Sequence, residues 1–413
     1  MAGGRKARSR FLRVKRRRGV SPSGNAPRPA AAELAVYALH NAALPLARRL
    51  AARLMEQPWP LPRMSPCARN AADALAQARV FAPARFCPKD ARPFDALPPL
   101  LARTYPAFAA HAFIGAAGIA VRCLAPLLTH KSADPPALVL DAAGRHVISL
   151  LSGHWGGGNA LARHVARLLD ATPVITTASD TADTGEGAPP APDLLLRDAG
   201  LRPVDWSRLP VAQALLLEGA VLDLWDPCCA VPDHPGLRRL PVHTEDAPFP
   251  PEGRGPEAPL LLAAHWKRLP EHPRVLRIAV PRLVLGVGCR RGVDAELLAA
   301  GADGFLQRYA LEPLAVAAVA TVREKLEEPA LRELAARMRL PLRGFAAEEL
   351  ARCAVPHPSP AAGQRFGLPP FSVCEAAALL AAEERGTARL LAPKAVVQGR
   401  ITLAVAVTQR TLP

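Results

Sequence analysis

The stretch HVISLLSGHWGGGNALARHVARLL, residues 146–169, decides the fold class of its part of the chain. It begins with an apolar run typical of a buried strand and then enters a glycine-rich segment, residues 152–158. Residues 159–169 follow with apolar positions at helical spacing. A strand that passes through a glycine-rich turn directly into a helix is the repeating unit of α/β proteins. The stretch therefore predicts an α/β fold.

The sequence before this stretch repeats the same alternation. Apolar runs predict strands at 34–39, 111–115 and 137–140 before it, in addition to 146–151 within it and 173–177 just downstream. Helical spacing predicts helices at 44–55 and 119–128, and a short helix within 70–80. Strands that alternate with helices of about ten residues indicate a mostly parallel sheet with helices on its faces.

A second α/β unit begins near residue 283. Its strand 283–287 leads into Gly288 and Gly292, a helix follows at 295–300, and a hairpin of 389–391 with 401–407 ends the unit. Between the units we predict helices at 193–199 and 211–218, a strand at 221–225 and a proline-rich stretch, 227–273. The prediction is a disordered basic tail (1–32), an N-terminal α/β domain with a mostly parallel sheet (33–180), a variable middle region with a proline-rich linker (181–280) and a C-terminal three-layer α/β/α domain (281–410).

Charge and composition limit the classes of function. The 413-residue chain has a net charge of +16, and ten of its positive charges precede Glu33, the first acidic residue. Such a tail can bind nucleic acid or an anionic membrane, but this one lacks the interleaved aromatic residues of nucleic-acid surfaces. No apolar run approaches the ~18 residues of a membrane span. The eight cysteines form no CxxC pair, which favours reduced thiols and no zinc site. We expect a cytoplasmic protein that binds neither nucleic acid nor membrane.

The glycine-rich segment is the first candidate for chemistry. Glycines between a strand and a helix let backbone N–H groups of Gly153, Gly156 and Gly157 approach an anion, so the segment predicts an anion-binding loop. It matches neither the P-loop nor the dinucleotide fingerprint nor the nucleophile elbow. His154 is a candidate general base, since an imidazole takes a proton from water at physiological pH; the alternative is a residue that only caps the helix or binds substrate. Ser152 is a candidate hydroxyl donor without an identifiable base.

Further candidate binding residues flank the predicted strands. Arg122 and Lys131 are able to grip carboxylates, although surface charge explains Lys131 equally well. Thr176 and Thr177 lie at the end of strand 173–177, at the edge expected to carry the glycine loop, or else cap a turn there. The candidate binding set is completed by Asn159, which more simply caps its helix, and by the arginines that follow the C-terminal strand, Arg290 and Arg291.

The combination of these motifs resembles the cobalt-precorrin-5A hydrolase family of anaerobic cobalamin biosynthesis. The resemblance covers most of the chain from about Leu34 to Val407, and departures include Arg323, Gly157 and Gly158, the proline-rich stretch and the tail. The motifs that carry it are GIAVR (118–122), LAPL (124–127), DP (134–135), ISLLSGH (148–154), PVITTA (173–178), LEG (217–219), GVGCRRG (286–292) and SVCEAAALL (372–380), with Lys131, Lys325, Glu328 and Lys394.

This resemblance implies an enzyme that opens the δ-lactone of a cobalt-bound, ring-contracted tetrapyrrole and releases acetaldehyde to give cobalt-precorrin-5B. The substrate, cobalt-precorrin-5A, carries acetate and propionate carboxylates, which suits glycine loops and arginines on two α/β units. Cobalt arrives with the substrate, so neither a cofactor nor a protein metal site is expected, and transient contact with neighbouring pathway enzymes is possible. The alternatives are a non-catalytic tetrapyrrole carrier and, from the tail alone, a nucleic-acid-associated protein.

Overall fold

A computed structural model of the chain describes residues 32–61, 74–130, 133–177, 191–242, 244–245, 247–249 and 259–409. The predicted basic tail lies outside the described residues except for Ala32, and Lys131 and residues 178–190 lie outside them as well. Among the helices that are described, none is both long enough and apolar enough to cross a lipid bilayer.

The first part of the described chain, up to residue 177, forms a seven-stranded sheet and a separate antiparallel strand pair. The large sheet has the order β5-β4-β1-β6-β7-β8-β9, and every neighbouring pair is parallel except β7 with β8, which confirms the predicted mostly parallel sheet. In chain order the strands are β1 (Glu33–Ala38), β2 (Trp59–Pro60), β3 (Ala74–Leu75), β4 (Gln77–Pro83), β5 (Arg92–Phe94), β6 (Ala110–Ile114), β7 (Ala137–Leu140), β8 (His146–Leu151) and β9 (Thr172–Val174).

Helices cover both faces of this sheet, because its central strands are apolar on both sides. Leu34 and Val36 of β1 pack into the core under one pair of helices, while Ala35 and Tyr37 face the other pair. The first pair is α1 (Leu44–Glu56) with α4 (Gly158–Leu169), and the second is α2 (Leu97–Thr104) with α3 (Ala117–Leu124).

The short helix predicted within residues 70–80 is wrong where the chain is described. Residues 74–75 and 77–83 are strands, and Val80 and Phe81 pair with Val36 and Tyr37 of β1. A short apolar run does not distinguish a strand from a helix by its spacing, so the pairing with a neighbouring strand decides between them.

The glycine-rich segment lies at the opposite edge of the sheet from the ends of most strands. β8 runs antiparallel to β7, with Leu151 paired to Ala137 at the beginning of β7. β9 is parallel to β8, so these two strands end at the same edge. The segments that follow β8 and β9 therefore meet, as expected from the sequence, while the ends of β1, β4, β6 and β7 lie at the other edge.

The middle region builds a five-stranded sheet of its own. Its order is β10-β14-β13-β11-β12, parallel except for β10 with β14. Two of its strands lie within the stretch predicted to be a proline-rich linker, because Leu237–Arg239 and Leu261–His265 each pair with β11 despite the surrounding prolines. The predicted helices and the predicted strand are confirmed, while the domain boundaries stay a prediction. The elements are α5 (Pro192–Asp198), β10 (Arg202–Pro203), α6 (Leu209–Leu217), β11 (Leu222–Trp225), β12 (Leu237–Arg239), β13 (Leu261–His265) and β14 (Val275–Ala279).

The C-terminal part is a three-layer α/β/α unit, as predicted. Leu283 and Leu285 of its central strand face one core with two helices, and Val284 faces a second core with the others. The order is β17-β16-β15-β19-β18, with β15, β16 and β17 parallel and the final hairpin antiparallel. The elements are β15 (Leu283–Cys289), α7 (Ala295–Arg308), β16 (Val316–Val322), α8 (Pro329–Met338), β17 (Leu342–Phe345), α9 (Ala347–Arg352), α10 (Pro360–Phe366), α11 (Val373–Glu383), β18 (Thr387–Val397) and β19 (Ile401–Gln409).

Candidate active site

The glycine-rich segment folds into a tight loop between β8 and α4. Ser152 has a φ of 54° and Gly157 a φ of 80°, so the backbone turns twice through the left-handed region. The Gly158 amide donates to the Ser152 carbonyl at 3.0 Å, and the Asn159 amide donates to the Gly153 carbonyl at 2.9 Å. These bonds close the loop on itself and begin α4.

These glycines are needed for the packing of the loop itself, in addition to any role in ligand binding. A Cβ on Gly153 would lie 2.6 Å from Oδ1 of Asn159, and one on Gly156 would lie 2.7 Å from Cβ of Ser152. The Gly157 amide donates to the His154 carbonyl at 3.0 Å. Among the amides expected to face an anion, that of Gly157 is therefore bonded inside the loop, and those of Gly153 and Gly156 remain as candidate donors.

His154 pairs with a carboxylate from the middle region. Its Nδ1 lies 2.9 Å from Oδ2 of Asp193 on α5, and both side chains are only 10% exposed. The other carboxylate oxygen of Asp193 accepts from the Leu194 amide, and Arg197 donates to the His154 carbonyl. Donation from Nδ1–H to a buried carboxylate places the lone pair of a neutral imidazole on Nε2. This is the arrangement of a general base held by an aspartate.

Aromatic contacts fix the loop to the middle region. Trp155 is buried and packs edge-to-face against Trp206, with ring centroids 4.7 Å apart. His130 packs edge-to-face on the same Trp206 ring at 5.3 Å. Trp155 directly follows His154 in the chain, so the packing of its indole also supports the His154–Asp193 pair.

The remaining candidates of the first sheet divide into two groups. Asn159 does not cap its helix; its side chain is buried and donates to the Thr177 hydroxyl at 2.9 Å, while Thr176 is exposed. The Ser152 hydroxyl donates to the Asp134 carbonyl at 2.7 Å and so ties the loop to the segment before β7. These contacts bring Ser152, Asn159 and Thr177 together around the loop.

None of the described hydrogen bonds joins Arg122 to this cluster. Its guanidinium is exposed and donates to the Gly118 carbonyl of its own helix at 3.2 Å. Lys131, the other predicted cation of this region, lies outside the described residues.

Arg290 and Arg291 lie at a different place, where β15 ends in the third sheet. Both side chains are exposed, and the Arg290 amide donates to the Arg400 carbonyl at 3.0 Å. In the same turn, the amide of Gly292 donates to a carboxylate oxygen of Glu328 at 2.8 Å. The two predicted carboxylate-binding regions thus belong to separate sheets.

A second buried carboxylate, Glu375, orders the same edge of the third sheet. It accepts from Nδ1 of His357 at 2.8 Å and from the backbone amide of Lys394 at 3.0 Å. Burial on its own would raise the pKa of Glu375, but hydrogen bonds from His357, Lys394 and Ser372 outweigh it and lower that pKa. Glu375 is therefore a carboxylate that holds loops in place.

Known proteins resemble both regions that carry these candidates. Residues 99–180 match the family described as cobalamin synthesis G N-terminal, and residues 283–406 match cobalamin synthesis G C-terminus. A cobalt-precorrin-5A hydrolase from Salmonella typhimurium is 37% identical over 260 residues, which are 60% of this chain and 69% of that protein. One from Priestia megaterium is 30% identical over 276 residues, 64% of this chain and 70% of the relative. The chain belongs to the cobalt-precorrin-5A hydrolase family.

Two solved structures are similar at low TM-scores. A cobalamin biosynthesis protein G homologue from Sulfolobus solfataricus is 17% identical with a TM-score of 0.35, covering 92% of this chain and 98% of its own. CobE, a protein of the cobalamin pathway, is 34% identical with a TM-score of 0.29, covering 31% of this chain and 92% of its own.

Sequence reasoning missed Asp193 and Arg197, and both lie between the two segments that match the cobalt-precorrin-5A hydrolase family models. In the sequence, Asp193 follows a proline at the beginning of a short helix, where an acidic residue ordinarily complements the helix dipole. Nothing in that local pattern links it to His154, which lies 39 residues earlier. Only the packing of the loop against α5 brings the two together.

Proposed function

We propose that this chain is a cobalt-precorrin-5A hydrolase that opens the δ-lactone of its substrate and releases acetaldehyde. The observation that carries the proposal is the hydrogen bond between His154 and the buried Asp193, beside a glycine loop, in a member of the cobalt-precorrin-5A hydrolase family. Lactone hydrolysis needs a base to activate water and donors for a developing oxyanion, and this loop offers both kinds of group.

In the proposed mechanism Nε2 of His154 takes a proton from a water molecule that attacks the lactone carbonyl. Asp193 stabilises the imidazolium that forms, and the amides of Gly153 and Gly156 hold the oxyanion. Collapse of the intermediate breaks the ester C–O bond, and the imidazolium gives its proton to the leaving oxygen, which becomes an alcohol. The alcohol then loses its hydroxyl proton and becomes acetaldehyde as the carbon–carbon bond to the macrocycle breaks. The macrocycle keeps the electron pair of that bond and takes up a proton. One water is consumed for each acetaldehyde released.

The other candidate residues take part as carboxylate-binding groups in this proposal. Arg122, Lys131 and Thr176 would contact substrate acetates and propionates, and Arg290 and Arg291 would do so at the third sheet. The cobalt is part of the substrate, and the reaction would take place in the cytoplasm, where neighbouring pathway enzymes supply and remove the intermediates.

Incubation of the purified chain with cobalt-precorrin-5A tests the proposal. We expect stoichiometric acetaldehyde, measured by a coupled alcohol dehydrogenase assay, and a corrinoid product that has lost two carbons and gained a free carboxylate. Recovery of unchanged substrate bound to the protein, without acetaldehyde, would contradict the proposal and favour the carrier alternative.

A further inference from the structure

A buried ion pair lies beneath the turn that carries Arg290 and Arg291. Nζ of Lys325 is 2.7 Å from Oε2 of Glu328, and both side chains are 6% exposed. The hydrogen bond from Lys325 holds the pKa of Glu328 below its ordinary range, so Glu328 is a carboxylate that accepts from Nζ of Lys325. Removing two charges from water costs free energy that their attraction barely repays. The pair therefore calls for an explanation other than stability.

Glu328 does not use its carboxylate to cap the helix that follows it. It is the N-cap residue of α8, but its side chain makes no capping hydrogen bond to that helix. Its oxygens instead accept from the Gly292 amide and from Lys325. The carboxylate thus fixes the turn after β15 and the lysine in one arrangement.

Lys325 retains hydrogen-bonding capacity in this arrangement. An ammonium group has three N–H donors, and within the described part of the chain Glu328 is the single acceptor of Nζ. Buried donors require acceptors. The ammonium is close enough to Cys289, at the end of β15, to oppose the rise in the thiol pKa that burial causes. Two donors near the end of β15 are therefore left for an acceptor that this part of the protein does not supply.

The surroundings favour an anionic acceptor. Arg290 and Arg291 are exposed on the turn that Glu328 holds, and Arg365 on α10 also acts on the Cys289 thiol. Guanidinium and ammonium groups bind carboxylates by charge-assisted hydrogen bonds. A ligand with several carboxylates would engage the buried lysine and the exposed arginines together.

We propose that Lys325 binds a peripheral carboxylate of a polycarboxylate tetrapyrrole at the end of β15, with Glu328 as its positioning residue. The class of ligand rests on the proposed function, while the carboxylate site rests on the geometry of the third sheet. Arg290 and Arg291 would bind neighbouring carboxylates of the same ligand.

Binding of free-base uroporphyrin III, a stable octacarboxylate tetrapyrrole, to the full chain tests this site without any reaction. We expect Lys325→Gln to raise the Kd measured by calorimetry about tenfold or more, since a charge-assisted hydrogen bond is lost. Lys89→Gln removes the same charge at an exposed position of the first region and is the matched control, with a change below about twofold.

A double variant distinguishes a loss of binding from a loss of folding. It is needed because Lys325→Gln leaves Glu328 buried without its partner. Lys325→Gln/Glu328→Gln removes both charges, and circular dichroism establishes that it is folded. We expect it to lose uroporphyrin affinity to the same extent. A folded double variant that binds uroporphyrin as tightly as the wild type would overturn the site.

The acetaldehyde assay separates this site from the proposed function. Lysine-dependent uroporphyrin binding without acetaldehyde release would refute the hydrolase function and leave the site standing. Acetaldehyde release with an unchanged Kd and KM in Lys325→Gln would refute the site alone.

Discussion

His154 and Asp193 lie in different parts of the chain, and their contact defines the chemistry proposed for the loop. A neutral imidazole beside a buried carboxylate keeps one tautomer, and the carboxylate stabilises the positive charge that develops when the ring accepts a proton. The 10% exposure of both side chains makes that electrostatic help stronger than it would be in water. Asp193 is therefore a positioning residue that acts through His154.

Replacement of Asp193 tests this role. Asp193→Asn keeps the size of the side chain but removes the charge, so we expect kcat for acetaldehyde release to fall about 100-fold with little change in KM. Asp303→Asn, at an exposed position of α7, is the control and should leave kcat unchanged. An Asp193→Asn enzyme with the wild-type kcat would show that His154 needs no carboxylate partner.

His111 on β6 is a buried histidine that serves structure. It is 0% exposed, and its ring nitrogens contact the Tyr37 hydroxyl at 3.0 Å and the Tyr105 carbonyl at 3.3 Å. Burial lowers the pKa of His111 from 6.5 to about 4, and the bond to Tyr105 offsets this only partly. The folded protein therefore keeps this imidazole neutral under mildly acidic conditions.

This difference in protonation makes stability depend on pH. Below pH 6.5 His111 is protonated in the unfolded chain but stays neutral in the folded chain. The free energy of unfolding therefore falls as the pH drops towards 4. We expect His111 to contribute a loss of about 1.4 kcal/mol per pH unit in that window. Urea unfolding of the wild type and His111→Gln at several pH values measures it, and parallel pH profiles for the two proteins would contradict the prediction.

Individual residues were only partly predictable from the sequence. His154 stands out because a glycine loop between strand and helix marks a site by itself. Asp193 does not, since its partner is set by packing between two regions of the chain. Ser152 is predicted as a candidate hydroxyl donor, and Asn159 as a binding residue or, more simply, a helix cap. In this structure their side chains bond to the Asp134 carbonyl and the Thr177 hydroxyl, partners that the local sequence does not indicate.

At the scale of elements, the C-terminal α/β/α unit depends on close packing between α11 and β15. A Cβ added to Gly286 would lie 1.8 Å from the Cys374 carbonyl oxygen and 2.9 Å from Cβ of Ala378. Backbone cannot move aside as a flexible side chain does, so the glycine is required for the helix to rest on the strand.

Two alanine substitutions test this packing. We expect Gly286→Ala to reduce the free energy of unfolding by about 3 kcal/mol or more. Gly304→Ala, inside α7 where nothing lies within 4 Å of the added Cβ, should raise it by about 0.5 to 1 kcal/mol. Denaturant unfolding of both variants checks the pair, and equal stabilities would show that α11 does not rest on β15 as described.

Elements with strong local signals were predicted well, and those that depend on distant partners were not. The strand, loop and helix around His154 follow from spacing alone. The strands β12 and β13 lie among prolines, and β4 lies in a stretch that resembles a short helix; each becomes a strand because a buried neighbour pairs with it. Tertiary pairing overrides local preference in these places.

At the scale of the whole molecule, the middle and third sheets share one hydrophobic core. Leu276 of β14 and Leu285 of β15 belong to the same buried cluster, and Trp155 of the glycine loop joins it. Arg202 donates to the carbonyls of Leu314 and Val316, which links β10 to the third unit. The loop that carries His154 is thus supported by the body of the protein beyond its own sheet, which favours a preorganised site.

Single-turnover acetaldehyde release by His154→Gln measures whether His154 is the base for lactone opening. We expect a rate at least about 100-fold below the wild type, with the Kd for cobalt-precorrin-5A changed less than about threefold. Acetaldehyde released at the wild-type rate by the folded variant would contradict it.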